Sequence, residues 1–153
     1  MKALIISLLM VTGVAKADGF KCYVPEFDQN IKVFNHTQAE EGTRNASIMI
    51  ISDEAVNAGR KTVATFSDVK NTLDNAGASY VAKVDLRVSE SNRKGENVFG
   101  TKLGEIATVK LNVYFTYGEI LINGESVEGK LIVSKRNGDK ITAAVECVRY
   151  LKN

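Results

Sequence analysis

The stretch IATVKLNVYFTY, residues 106–117, decides the fold class of this chain. Apolar side chains recur at every second position, with Val109, Leu111, Val113 and Phe115 on one face and mostly polar side chains on the other. A period of two is typical of a β-strand that has one face in the core and the other in water. The stretch therefore predicts an antiparallel-type strand whose apolar face points inward.

Other parts of the chain carry the same kind of pattern. Alternating or apolar runs mark residues 20–24, 31–35, 47–52, 61–66, 80–89, 127–135 and 140–151, with shorter pieces at 98–102 and 119–123. Asn137-Gly138 is typical of a two-residue hairpin turn, because a type I′ turn needs positive φ at both central residues. Residues 53–59 and 67–73 are also compatible with one helical turn each. We therefore predict an all-β domain of about eight or nine strands, either an antiparallel β-sandwich or a partly closed β-barrel.

The first 17 residues have the features of a cleavable signal peptide. Lys2 is followed by a mainly apolar run over residues 3–14 and then by Ala15-Lys16-Ala17, which matches an A-x-A cleavage site. The run is shorter than the roughly 20 apolar residues that a transmembrane helix needs. We expect residues 1–17 to be removed, residues 18–153 to form a single domain, and the protein to be periplasmic or secreted.

The charge balance argues against nucleic acid and anionic membranes as general partners. The chain has 20 basic and 18 acidic residues. Because Lys2 and Lys16 leave with the leader, the mature chain has 18 of each and no net charge. General affinity for polyanions rests on an excess of Lys and Arg, which the mature chain lacks. We expect no nucleic-acid binding and no transmembrane helix.

The two cysteines, Cys22 and Cys147, are expected to pair. Export would carry both into a compartment where disulfides persist. Each falls on the apolar face of its predicted strand, Cys22 with Phe20 and Val24, and Cys147 with Val145. We therefore predict a disulfide between the first and last strands; two free thiols in a reducing compartment are the alternative.

No arrangement of residues specifies a reaction. His36 is the only histidine, which excludes a multi-histidine metal site and leaves one histidine for a Ser-His-Asp or Cys-His mechanism. It belongs to a polar stretch, residues 35–45, which is predicted to be a loop and also holds Glu40, Glu41 and Arg44. These four residues are candidates for a binding loop, and a solvated loop without a ligand is the alternative. We identify no catalytic residue, metal ligand or cofactor, and we expect His36 not to act as a catalytic base.

Two other features have a structural explanation. GTKLG, residues 100–104, lacks the G-x-x-x-x-G-K-[ST] spacing of a phosphate loop and is expected to bend a strand. Tyr114 falls on the polar face of its strand, whereas Tyr80, Tyr117 and Tyr150 are assigned to the core. Neither feature is assigned to a ligand.

Three stretches resemble known sequences. GASYVAKVDL (77–86), KRNGD (135–139) and CVRYLKN (147–153) are similar to parts of small exported proteins, with signal peptides, of Gram-negative bacteria, including predatory ones. The resemblance covers most of the mature chain. It implies a periplasmic or secreted β domain and carries over no catalytic residue.

The leading hypothesis for function is an exported, non-enzymatic β domain that binds a protein or a small ligand, or stabilises an assembly of the cell envelope. A lipocalin-like carrier with a ligand inside its barrel is the first alternative, and a pocket in the interior would distinguish it. A small hydrolase that uses His36 or a pair of carboxylates is the second. An outer-membrane barrel ranks last, because several predicted strands are shorter than the roughly 9 to 11 residues that such a barrel needs.

Overall fold

The computed structural model of the protein describes residues 18–37, 45–54, 61–85, 94–116 and 124–151. This backbone consists of strands and the turns that join them, with one 3₁₀ turn at Leu103–Glu105. The strands are β1 (Asp18–Val24), β2 (Gln29–Thr37), β3 (Asn45–Asp53), β4 (Thr62–Asp74), β5 (Gly77–Lys83), β6 (Asn97–Val98), β7 (Thr101–Lys102), β8 (Ile106–Tyr114), β9 (Ser126–Lys135) and β10 (Lys140–Leu151).

Eight of these strands form one closed antiparallel barrel. Its order is β1-β10-β9-β8-β5-β4-β3-β2, so each strand pairs with the next long strand along the chain and β10 returns to pair with β1. The predicted all-β fold is confirmed, and the structure selects the barrel over the sandwich. The barrel is fully closed rather than partly closed, because the pairing of β1 with β10 leaves none of its eight strands at an edge.

The predicted disulfide joins these two closing strands. Cys22 and Cys147 lie directly opposite each other in the pairing of β1 with β10, and their sulfur atoms are bonded at 2.05 Å. Both residues are completely buried. Because the bond links positions 125 residues apart, it removes much of the freedom of the unfolded chain. It therefore fixes the two ends of the chain to each other at the point where the barrel closes.

The interior of the barrel is packed with side chains. Val109, Leu111 and Val113 point inward with no exposed surface, as predicted, and Phe115 packs against the same core. Met49 and Leu131, on strands elsewhere around the barrel, are equally buried. A cavity that admitted water would leave accessible surface on the side chains around it, and these have none. Eight strands enclose a space that side chains can just fill.

A short hairpin closes one end of the barrel. We call Asn97–Lys102, which contains β6, β7 and the turn between them, the cap hairpin. Phe99 in this turn has a φ of 51° and is fully buried. The centroid of its ring lies 6.0 Å from that of Phe27. The prediction of one bent strand here is wrong, because the chain reverses at Phe99-Gly100 and inserts an aromatic ring into the core.

Two other expectations need correction. Residues 67–73 form part of β4 instead of a helical turn, because Val69 is buried in the core and this segment pairs with β3 and β5. Both ends of the loop predicted over residues 35–45 are strand instead, since β2 continues to Thr37 and β3 begins at Asn45. The strand predicted at 119–123 lies outside the described residues. So do residues 55–59 of the helical turn predicted over 53–59, whose first residue, Asp53, ends β3.

Candidate functional site

Of the four residues predicted to form a binding loop, the structure describes one, His36. His36 lies in β2, where its backbone is paired with Ala46 of β3. Glu40, Glu41 and Arg44 lie outside the described residues, so the binding-loop hypothesis stays a prediction. Within the described part of the chain, no group of three His, Cys, Asp or Glu side chains is placed to hold a metal ion.

A different surface brings aromatic, apolar and charged side chains together. We call the outward-facing residues of β10, β1, β2 and β3 the seam face, because the barrel closes between the first two of these strands. The strand pairing arranges them in three rows, each of which crosses the four strands in that order. The rows are Tyr150, Gly19, Phe34 and Ile48; then Val148, Lys21, Lys32 and Ile50; then Glu146, Tyr23, Asn30 and Ser52.

An aromatic pair forms above a glycine in the first row. Gly19 lies between Tyr150 and Phe34, and the two rings meet edge to face with their centroids 5.7 Å apart. A Cβ atom on Gly19 would lie 1.8 Å from the carbonyl oxygen of Val33, so the backbone requires glycine here. Such a ring contact contributes about 0.5 to 1.5 kcal/mol beyond burial. It holds the Tyr150 ring in a defined position on the surface.

The assignment of Tyr150 to the core is wrong. Cys147 and Arg149 point inward along β10, so the alternation of the strand places Tyr150 and Val148 outside. These two residues are 38% and 39% exposed, while Phe34 beside them is half-buried. Tyr80, by contrast, is in the core as predicted, and Tyr117 lies outside the described residues.

The seam face places several large apolar side chains next to one another. Ile48 and Ile50 of β3 extend it beyond Phe34, and both are half-buried. The other exposed large apolar side chains, Leu73 and Tyr114, lie on β4 and β8 instead. Contiguous apolar patches with a polar rim mark interaction sites, whereas isolated exposed apolar residues are common on any protein.

A groove runs along the polar side of the seam face. It encloses about 460 Å³ and is lined by Lys21, Tyr23, Asn30, Glu54, Ser126, Glu146 and Val148. The hydroxyl of Tyr23 donates a hydrogen bond of 2.9 Å to Asp28. This bond is the main cause of a raised pKa for Tyr23, with burial and nearby carboxylates adding to it. Tyr23 is therefore a neutral hydrogen-bond donor at physiological pH.

Sequence reasoning missed this site, although part of the signal was present. The inward positions of Cys22 and Cys147 imply that Lys21, Tyr23 and Val148 face outward. The sequence does not show which strands are neighbours. Rows of side chains across a sheet can be identified only when strand order and register are known.

Comparisons with known proteins identify no relative. No family model, curated protein or solved structure matches the chain. Among the residues that the structure describes, no helix is long and apolar enough to cross a membrane.

Proposed function

We propose that the protein is an exported, non-enzymatic β-barrel that binds a protein partner through the seam face. The observation that carries this proposal is the Tyr150–Phe34 pair, an aromatic contact held on the surface beside the exposed Val148. Export to the periplasm or beyond is supported by the leader sequence and by the disulfide.

The packed interior argues for a surface-binding protein over a lipocalin-like carrier. A carrier needs a cavity of about 300 to 1,000 Å³ to enclose its ligand. The side chains of Met49, Leu111 and Leu131 leave no such space at the centre of the barrel. Phe99 of the cap hairpin also occupies one end. We therefore assign binding of the partner to the outer surface of the barrel.

The chemistry of the seam face suits a protein surface. Tyrosine is enriched at protein interfaces, because it supplies a large contact area and loses little side-chain entropy. Lys21 and Lys32 lie side by side between the aromatic row and the polar row. A complementary partner would place apolar side chains over Tyr150 and Val148 and carboxylates over the two lysines.

The proposal is tested by changing the seam face and measuring the size of the native complex. Tyr150→Ser removes an aromatic ring from this face, and Tyr114→Ser removes a similarly exposed ring from β8 as the matched control. Envelope extracts that contain each variant would be separated by native gel filtration. We expect the wild type and Tyr114→Ser to elute in a complex and Tyr150→Ser to elute at the size of the free chain.

Either of two results would count against the proposal. Elution of the wild type as a free chain would mean that no stable partner is bound. Elution of Tyr150→Ser with the complex, after a thermal melt has shown that both variants are folded, would place the partner on another surface.

The carrier hypothesis has its own test. Purified protein would be titrated with an apolar fluorescent probe of fatty-acid length. We expect no saturable binding, because the described interior is filled. Stoichiometric binding would favour the carrier over the proposed surface-binding function.

A further inference from the structure

A second concave surface lies near the capped end of the barrel. It encloses about 540 Å³ and shares no residue with the seam face. We call it the basic cleft, after the three cationic residues among the described residues that line it. They are Lys83 at the end of β5, Lys94 before the cap hairpin, and Arg136 in the turn between β9 and β10. The three cationic residues thus come from three separate segments of the chain.

Arg136 has a fixed position in this cleft. Its Nη2 atom donates a hydrogen bond of 2.7 Å to the carbonyl of Val84, and its Nε atom donates one of 3.1 Å to the carbonyl of Gly104. Its backbone N–H donates to the carbonyl of Glu105 at 2.8 Å. Because the guanidinium is planar and rigid, these bonds hold its charge in place before any ligand arrives.

The backbone around the two lysines is also ordered. Gly104 donates a hydrogen bond of 3.0 Å to the carbonyl of Lys94, and Val84 donates one of 2.9 Å to the carbonyl of Ala107. The side chains of Lys83 and Lys94 are exposed. The lysine ammonium groups can therefore approach a ligand that Arg136 orients.

The cleft has a local excess of positive charge, although the mature chain has none overall. Among the described residues that line it, Asp85 is the only acidic one. The nearby carboxylate of Glu105 accepts hydrogen bonds from the Thr101 hydroxyl at 2.7 Å and from the backbone N–H of Lys102 at 3.2 Å. These hydrogen bonds hold the Glu105 carboxylate against the cap hairpin.

We propose that the basic cleft binds a small, multiply charged anion that carries phosphate groups. Arg and Lys together are the side chains that recognise phosphate oxygens. The attraction grows with the product of the charges, so a multiply charged anion gains more from three cations than a monocarboxylate does. A volume of about 540 Å³ also admits an organic group attached to the phosphate.

Calorimetry with inorganic pyrophosphate tests this site. The purified protein would be titrated at low salt and at physiological ionic strength. The variants are Lys83→Gln, Lys94→Gln and, as the matched control, Lys130→Gln, which removes an exposed lysine of β9 outside the cleft. Within the part of the chain that the structure describes, the side chains of these lysines donate no hydrogen bonds like those of Arg136, so the variants are expected to fold. We expect Lys83→Gln and Lys94→Gln each to weaken binding by about 5-fold and Lys130→Gln by less than about 2-fold.

The proposal is overturned if pyrophosphate gives no binding at either salt concentration. It is also overturned if Lys130→Gln weakens binding as much as the two cleft variants do, because the attraction would then be unspecific. Equal affinity of all variants and the wild type would likewise exclude the cleft.

A vesicle experiment distinguishes the two sources of such a phosphate. The protein would be sedimented with vesicles of phosphatidylcholine alone or with added phosphatidic acid. Sedimentation with phosphatidic acid that pyrophosphate reverses would identify a lipid headgroup as the ligand. Pyrophosphate binding without sedimentation would identify a free anion. Sedimentation that pyrophosphate does not reverse would contradict the proposed site.

Discussion

The side chain of Gln29 accepts a hydrogen bond of 2.8 Å from the backbone N–H of Phe99, 70 positions further along the chain. Its Nε2 atom donates to the carboxylate of Asp53 at 2.8 Å and to the carbonyl of Asn97 at 3.1 Å. One buried amide therefore ties β2, β3 and the cap hairpin together. This connection holds Phe99 inside the barrel and so contributes to the packed interior on which the proposed function rests.

Replacement of Gln29 by Ala should destabilise the protein by about 2 to 4 kcal/mol, because it leaves the buried backbone N–H of Phe99 without its partner and removes the bonds to Asp53 and Asn97. Urea unfolding followed by circular dichroism would measure the change. The matched control is Thr72→Ala at an exposed position of β4, where we expect a change of about 0.5 kcal/mol or less. Equal stability of Gln29→Ala and the wild type would show that the hairpin does not depend on this amide.

Reduction of the Cys22–Cys147 disulfide should lower the free energy of unfolding by about 4 to 5 kcal/mol, because the bond closes a loop of more than 100 residues. The measurement compares unfolding of the same protein with and without reductant. Intact-mass analysis after alkylation reports whether the thiols were released. A protein that is fully reduced and equally stable would contradict the entropic role given to this bond.

Replacement of Leu111 by Ala should cost about 2 to 5 kcal/mol, because its side chain is fully buried in the barrel. Lys110→Ala, at the next position on the outer face, should change stability by under about 0.5 kcal/mol. Chemical denaturation of both variants checks the prediction. Similar losses at the two positions would contradict the assignment of faces in β8.

Replacement of Gly19 by Ala should destabilise the barrel by about 1 to 3 kcal/mol or more, because the added Cβ meets the backbone of β2. Gly95→Ala is the matched control, since a Cβ there meets no atom within 4 Å. Thermal melts of the two variants give the comparison. A Gly19→Ala protein as stable as Gly95→Ala would mean that the strands can separate at this point without cost.

Much of the barrel can be predicted from local patterns. The bounds of β10 agree with the predicted run at residues 140–151, and the face that contains Leu111 was identified correctly. The positions of Cys22 and Cys147 on apolar faces also indicated a buried disulfide. These features depend on alternation along one strand, which is visible in the sequence itself.

The closure of the barrel could not be predicted in this way. Sandwiches and barrels share the same alternation, and the pairing of β1 with β10 joins opposite ends of the chain. In β4 the alternation itself fails, because Ser67 and Asp68 lie opposite the single residue Ile48 at a bulge. That irregularity made a helical turn compatible with residues 67–73.

The cap hairpin and the seam face have no local signature either. Phe99 adopts a positive φ that a phenylalanine rarely takes, and the surrounding structure supports it. The contact between Phe34 and Tyr150 depends on two strands that flank β1 and that are far apart in sequence. Both features follow from long-range pairing, which a single sequence does not specify.

Site-specific photo-crosslinking in the native host tests the central claim most directly. A photoreactive phenylalanine derivative would replace Tyr150 on the seam face or, as the control, Tyr114 on β8, which is similarly exposed. Mass spectrometry would identify the adducts after irradiation of intact cells. The proposed function predicts one discrete protein adduct from position 150 and none from position 114. A discrete adduct from position 114 alone, or no adduct from position 150, would contradict it.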